Sequence, residues 1–290
     1  MAAVTRTREL HRSGLEVRPT RDRVLLREFL EQDRLFAAYA ICDLDEREFA
    51  RTRWGVALDR GRPVALALEY SGAAPQPLFV MGETEGIAQI LRTLIRPRLA
   101  YLAARSENLA GIDSLYRIDP GPPMVRMWVD GSGFQPVTGV ASRLVPADIG
   151  DLNRLYSLGI TAWLPAESIA NGVYFGVRVN GRLVAAAGTH VVSRESRLAV
   201  VGNVMTHRDY RGRGLAKLTT GAVTQELLRF CDQVTLNVRS DNPPALAAYR
   251  ALGYQDHLRF DERLVHRRGA LWDSIVAPLR RWIPAQRRPE

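Results

Sequence analysis

An apolar run, Leu198–Thr206, leads almost directly into Arg211-Gly212-Arg213-Gly214-Leu215-Ala216, and the residues after it carry apolar side chains at helical spacing. A strand, a glycine-rich turn and a helix in that order constrain this chain more than any other feature. The glycines let the backbone turn tightly and bring its N–H groups toward an anion, while the helix N-terminus adds partial positive charge. With arginines at 211 and 213, the turn reads as a cradle for a pyrophosphate.

The surrounding residues extend the unit. Residues 140–145 are a short strand candidate, and Pro146 opens a helix to about 158, because proline in the first turn gives up no hydrogen bond. Residues 173–179 and 182–192 flank Asn180-Gly181, a strong hairpin signal, and predict two antiparallel strands. Beyond the cradle, Leu215, Leu218, Val223, Leu227, Leu228 and Cys231 give a helix over about 214–230 its apolar face. Residues 234–238 return as a strand. Residues 243–252 form a short helix opened by Pro243-Pro244 and stopped by Gly253, and 258–265 supply a last strand. The order is β-α-β-β-β-α-β-α-β.

The first half holds a fainter copy. Asp59-Arg60-Gly61-Arg62-Pro63-Val64-Ala65 is echoed by Val179-Asn180-Gly181-Arg182-Leu183-Val184-Ala185, 120 residues later. Arg105-Ser106-Glu107-Asn108 is echoed by Arg239-Ser240-Asp241-Asn242, 134 residues later. A structural repeat accounts for both. The counterpart of the cradle, Met81-Gly82-Glu83-Thr84-Glu85-Gly86-Ile87, carries two carboxylates and no arginine, so it repels a pyrophosphate. A chain of 290 residues accommodates two domains. Gly121-Pro122-Pro123 and Asp130-Gly131-Ser132-Gly133 put the end of the first at 133, followed by a second at 134–265 and a basic tail at 266–290.

Bulk properties exclude several classes. At 46% hydrophobic and 24% charged, the chain has a globular composition, and no apolar run approaches the ~20 residues that span a bilayer. Residues 1–12 include Arg6, Arg8 and Arg12 but no apolar core of a secretory signal, so a cytoplasmic location is expected. Cys42 and Cys231 lack metal-ligand spacing and read as small buried residues; no metal is expected. The net charge of +9, carried almost wholly by arginine, favours anionic partners. Without ordered basic and aromatic motifs it does not specify nucleic acid.

The second half resembles the GCN5-related N-acetyltransferase (GNAT) superfamily, and within it the FR47-like domains that include relatives of glycine N-acyltransferase. The resemblance spans about 136–265. It rests on the pattern Arg/Gln-x-x-Gly-x-Gly/Ala, matched by Arg211, Gly214 and Ala216, and on Thr206-His207-Arg208-Asp209-Tyr210, where the family commonly has Val-x-Pro-x-Tyr. Downstream, Asn242, Ala245, Tyr249, Leu252, Gly253 and Tyr254 fit a second family motif. The fold implied is α/β, an α+β mixed sheet: tandem GNAT folds, each a mostly antiparallel, splayed sheet flanked by helices, with the first copy degenerate. The activity implied is N-acetyl transfer from acetyl-CoA, or another acyl-CoA as cosubstrate, to a primary amine of a small molecule or amino-acid-like acceptor.

The resemblance also assigns roles. Backbone groups of Val204, Met205 and Thr206 would pair with the pantetheine arm, and amides of Gly212, Arg213, Gly214, Leu215 and Ala216 would hold the pyrophosphate. Arg211 and Arg213 offer charge to phosphate or are solvated surface arginines. Tyr249 is the candidate acid for the departing thiolate, or an aromatic packed on a helix face. Asn242 bonds the pantetheine, caps the helix that follows, or does both. Family members often place a glutamate on the strand before the cradle, but here that strand has Gly202 and Asn203 and no carboxylate. His190, Glu167 and His207 are the candidate bases, acting directly or through water, with a structural reading open for each; His207 is also readable as a turn residue. The missing carboxylate keeps open a non-catalytic acyl-CoA sensor or scaffold. Trp272, Val276, Leu279 and Trp282 form a stripe in the basic tail, expected to dock on its own protein or on a second copy in a homodimer rather than on a membrane surface.

Overall fold

In the computed structural model, which describes residues 14–159 and 163–269, the first half runs β1 (Glu16–Thr20), α1 (Arg23–Leu30), α2 (Ala38–Cys42), α3 (Glu46–Phe49), β2 (Thr52–Asp59), β3 (Arg62–Tyr70), β4 (Gln76–Gly82), α4 (Thr84–Thr93), β5 (Leu99–Ala104), α5 (Leu109–Asp113), β6 (Tyr116–Ile118) and β7 (Met124–Asp130). The second runs β8 (Ser142–Arg143), α6 (Ile149–Tyr156), α7 (Ala166–Asn171), β9 (Phe175–Val179), β10 (Arg182–Ser193), β11 (Leu198–Thr206), α8 (Leu215–Leu227), β12 (Gln233–Arg239), α9 (Pro243–Arg250) and β13 (Gln255–Arg267). The tail stripe at Trp272, Val276, Leu279 and Trp282 lies outside the described residues, as do Arg6, Arg8 and Arg12.

Turn chemistry fixes the echoed hairpins. Arg60 (φ 49°) and Gly61 (φ 82°) join β2 to β3, and Asn180 (φ 50°) and Gly181 (φ 78°) join β9 to β10. Positive φ at both central residues marks the tight hairpin turn whose twist suits paired strands. Two local expectations change. The strand foreseen at 140–145 contracts to Ser142–Arg143, because Val140 and Val145 are exposed (84% and 51%) and bury little against the sheet. Between the helix expected to end at about 158 and the strand expected at 173–179, the order gains α7, with Pro165 preceding its first turn.

The described strands join in one mixed sheet in the order β1-β2-β3-β4-β5-β13-β7-β12-β11-β10-β9-β8, with β6 on β13. Its pairs are antiparallel except β4 with β5 and β11 with β12. Those two parallel pairs occupy equivalent places in the halves and stop at equivalent points. β4 pairs β5 only through Phe79↔Ala103, and β11 pairs β12 only through Val201↔Leu236. Beyond these pairs the two strands part, so each half has a splayed notch.

The halves exchange their last strands. β7, which the sequence places at the end of the first domain, pairs β12 on one side and residues 255–260 of β13 on the other. The rest of β13, Asp261 to His266, pairs β5, and its end pairs β6. The boundary expected at 133 therefore follows a strand already embedded among strands of the second half.

Packing continues the exchange. Phe36, Ala40 and Ile41, on and before α2, share an apolar cluster with Leu198 and Val200 of β11 and Phe260 of β13. On the opposite face, Val223 and Leu227 of α8 pack with Ala199, Val201, Val234 and Leu236. Full burial of one such side chain contributes about 1.5–3 kcal/mol, so the cluster formed by both halves holds α2 firmly on the second half's sheet.

Candidate active site

The cradle has the open geometry its sequence implies. Gly212 (φ 76°) and Gly214 (φ 74°) take left-handed conformations that other residues rarely adopt, and a Cβ at either would meet no atom within 4 Å. α8 starts at Leu215, and the N–H groups of its first turn have no acceptor within the helix. Arg211 and Arg213 are exposed. Arg213 Nη2 reaches Asp209 O (3.4 Å) with its guanidinium 5.1 Å from the Tyr210 ring, and Arg211 Nε reaches Thr206 O (3.4 Å). Both cations thus rim the cradle on long side chains. Val204, Met205 and Thr206 lie on the part of β11 that has left β12. These features fit a pyrophosphate with an extended arm running into the notch.

The first half's turn is filled instead. Asn108 Nδ2 donates to Gly82 O and Thr84 Oγ1, both at 3.1 Å. A Cβ at Gly82 would lie 2.3 Å from Val64 O. Glu83 stands at the N-cap position of α4 without a side-chain bond to the helix, and Glu85 sits in its first turn, so two exposed carboxylates flank the end where an anion would bind.

Tyr249 shares an apolar cluster with residues of β11 and β12. It is buried on α9 in the apolar cluster that includes Val201 and Val204, with Tyr254 6.2 Å away between ring centroids. Its Oη makes no hydrogen bond among the described residues, and burial pushes its pKa up to about 12. The phenol therefore keeps its proton at neutral pH and has it free to give. Asn242 caps α9, accepting from Ala245 N–H (3.3 Å).

Across the sheet, two irregularities meet. Opposite Val200 and Val201, β10 carries one extra residue, His190; opposite Ala186 to Gly188, β11 carries one extra residue near Asn203. Asn203 takes φ 52°, a left-handed conformation that asparagine tolerates better than most residues. Such bulges re-aim side chains. His190 Nε2 lies 3.1 Å from Asn203 Oδ1, and Gly202 makes room, since a Cβ there would lie 2.2 Å from that nitrogen. Tyr156 Oη donates to Asn203 O (2.6 Å) and anchors the bulge.

One donor assignment satisfies the whole chain. Tyr39 O–H donates to His190 Nδ1 (2.5 Å), His190 Nε2–H to Asn203 Oδ1, Asn203 Nδ2–H to Tyr174 Oη (3.3 Å) and Tyr174 O–H to Thr189 O (2.9 Å). His190 is surrounded by protein yet reached by solvent, as at the floor of a cleft. Its pKa is lowered chiefly by burial, with Arg126 adding to the effect, so the ring is neutral at pH 7.

The other proposed bases stand apart. Glu167 is exposed in the first turn of α7 and takes no part in the His190 chain. His207 is buried at the turn after β11, where Asp209 N–H donates to its Nδ1 (3.3 Å) and Arg182 Nη2 lies 3.0 Å from its Nε2. It caps the short turn Arg208–Tyr210 that precedes the cradle.

Sequence reasoning missed the residues that the other strands and helices bring to this cleft. Tyr39 comes from α2, Arg126 from β7 and Glu262 from β13. The Arg126 guanidinium is buried between the rings of Tyr39 (5.4 Å) and Phe260 (5.3 Å), and its Nη2 donates to Phe36 O (3.2 Å). Asn237 Nδ2 donates to Glu262 Oε1. No local motif marks any of them; the signal lies only in which strands pair.

Comparison with known proteins places the chain in a family. Residues 150–254 match the family model described as Acetyltransferase (GNAT) family. The chain is 32% identical over 130 residues to N-alpha-acetyltransferase RimI of Mycobacterium tuberculosis, covering 42% of this chain and 80% of that protein. A tandem GNAT protein from the clavulanic acid biosynthesis pathway superposes with a TM-score of 0.54 at 17% identity, over 88% of this chain and 99% of the other. A Drosophila protein superposes with a TM-score of 0.64 at 14% identity, over 87% and 98%. At these identities the structures speak to the fold, and they extend it across both halves.

Proposed function

Since the chain belongs to the GNAT acetyltransferase family, we propose that it is an acyl-CoA N-acyltransferase whose second half binds acetyl-CoA and whose first half completes the acceptor side of the cleft. The observation that carries this reading is the contrast between the two notches. One opens onto a cradle with two left-handed glycines and rimming arginines, whereas the other is plugged by Asn108 and faced by Glu83 and Glu85. Acetyl-CoA would supply a thioester lying in the β11–β12 notch. The amides of Gly212, Arg213, Gly214, Leu215 and Ala216 hold its pyrophosphate, and the free edge of Val204, Met205 and Thr206 holds its arm.

The acceptor is a primary amine of a small or amino-acid-like molecule, entering on the α2 side of the sheet. Similarity to a protein named an N-alpha-acetyltransferase supports an amine acceptor. Attack of the amine forms the N–C bond as the C–S bond breaks, and Tyr249, on the α9 side, gives its proton to the sulfur. His190 has both ring nitrogens engaged, by Tyr39 and Asn203, so it positions the acceptor side.

Thermal denaturation with acetyl-CoA tests the reading, because a ligand that binds the folded state raises Tm. Wild type should shift upward, and Gly214→Glu, which puts a carboxylate and a strained residue into the cradle, should not. Absence of a shift in wild type, or an equal shift in the variant, would overturn the assignment.

A further inference from the structure

The strand before the cradle has no carboxylate, yet the exchanged strand brings one to the same place. Asn237 is the first residue of β12 past the last β11–β12 pair, Val201↔Leu236, so it stands where the notch opens. Its side chain holds Glu262. Glu262 lies on β13 just after that strand leaves β7 for β5, opposite Ala103. Because β13 crosses between the half-sheets there, a residue remote from the cradle in sequence reaches the mouth of the notch.

The surroundings of Glu262 are those of a working carboxylate. It is enclosed by protein and still partly open to solvent, beside Tyr101, which is 45% exposed. The charged and titratable groups facing it are Arg126 from β7, Tyr39 from α2, Tyr101 from β5 and Arg263 beside it on β13, with Arg239 of β12 near Tyr101 and His190 of β10 beyond Tyr39. No salt bridge neutralises Glu262 among the described residues, and Arg126 acts on it without direct contact. Burial raises its proton affinity while Arg126 and Asn237 restrain the rise, which moves the group toward the range where a general base works best.

We propose that Glu262 is the acceptor-side carboxylate: it binds the acceptor's ammonium at the mouth of the β11–β12 notch and takes the proton that frees the amine to attack. The inference rests on the acyltransferase reading above. It also requires an acceptor that arrives as a cation. The ammonium passes one proton to Glu262, which releases it to solvent past Tyr101. A second stays on the amide nitrogen. The third leaves the nitrogen once the N–C bond has formed and replaces the proton that Tyr249 gives to sulfur, so the net yield is amide, thiol and one proton.

Glu262→Gln keeps the shape and the oxygen that accepts from Asn237, so it should fold, which its Tm without ligand will report. With a primary-amine acceptor that wild type uses, the variant should retain the Tm shift by acetyl-CoA and lose roughly 10²-fold or more in kcat/KM. The acid limb due to the carboxylate should vanish from its pH profile, and Glu262→Asp should recover part of the rate. Turnover within about threefold of wild type, or an unchanged acid limb, would overturn the proposal. If wild type itself shows no shift with acetyl-CoA, the acyltransferase reading has failed rather than this one.

Discussion

His190 Nε2 and Asn203 Oδ1 lie 3.1 Å apart where two bulges meet, one on β10 whose extra residue is His190 and one on β11 that includes Asn203. Asn203 holds φ 52°, so Asn203→Val must either strain the backbone by about 1–2 kcal/mol or abandon the bulge, whereas Asn203→Gly keeps the conformation. Denaturant unfolding should rank wild type and the glycine variant above the valine variant. Both variants should lose turnover, since neither offers His190 an acceptor.

Tyr249→Phe removes the proton and leaves the packing. It should keep acetyl-CoA affinity and lower kcat by about 10²- to 10⁴-fold. Because burial pushes the tyrosine pKa up to about 12, loss of its proton should produce no alkaline limb below pH 10 in wild type. Steady-state rates across pH, with binding measured separately, check both statements.

Asp43 is buried near Glu48 and Asp45, and its pKa rises to about 8, chiefly through burial. The folded state therefore binds this proton more tightly than the unfolded chain does. Stability should fall as pH rises from the ordinary aspartate value of 3.8 to about 8, and Asp43→Asn should remove that slope and raise Tm at pH 8. Melting curves from pH 5 to 9 will show whether the slope belongs to this residue.

Strand exchange predicts that neither half folds alone. A chain cut after Gly133 leaves the second fragment without β7, the strand between β12 and β13, and exposes unpaired edges. Residues 134–269 should be aggregation-prone when expressed alone and recover solubility and the acetyl-CoA shift when co-expressed with residues 14–133. Independent folding of the second fragment, seen by circular dichroism and a cooperative melt, would contradict this.

Much of the second half was legible because its signals are local. Asn180-Gly181 specified a hairpin, Leu198–Thr206 a strand, and Gly212 and Gly214 an open turn before a helix; β11 spans Leu198–Thr206 as expected. The first half's echo was legible for the same reason, and Arg60 and Gly61 repeat the backbone of Asn180 and Gly181. By contrast, the bulges at His190 and Asn203 were hidden, because an extra residue is defined only against the strand it pairs with.

By itself, the sequence determined the strands of the second half, the glycine turn that opens α8, the helix that carries Tyr249 and the inequality of the two glycine turns, since each depends on residues within a turn or two of one another. Only the tertiary structure decided that β7 and β13 change places and that Tyr39, Arg126 and Glu262 reach the second half's cleft. Those three are separated along the chain by about 90 and 140 residues. Nothing in a local pattern encodes which strand will lie beside which; that choice is made by pairing and packing across the whole sheet.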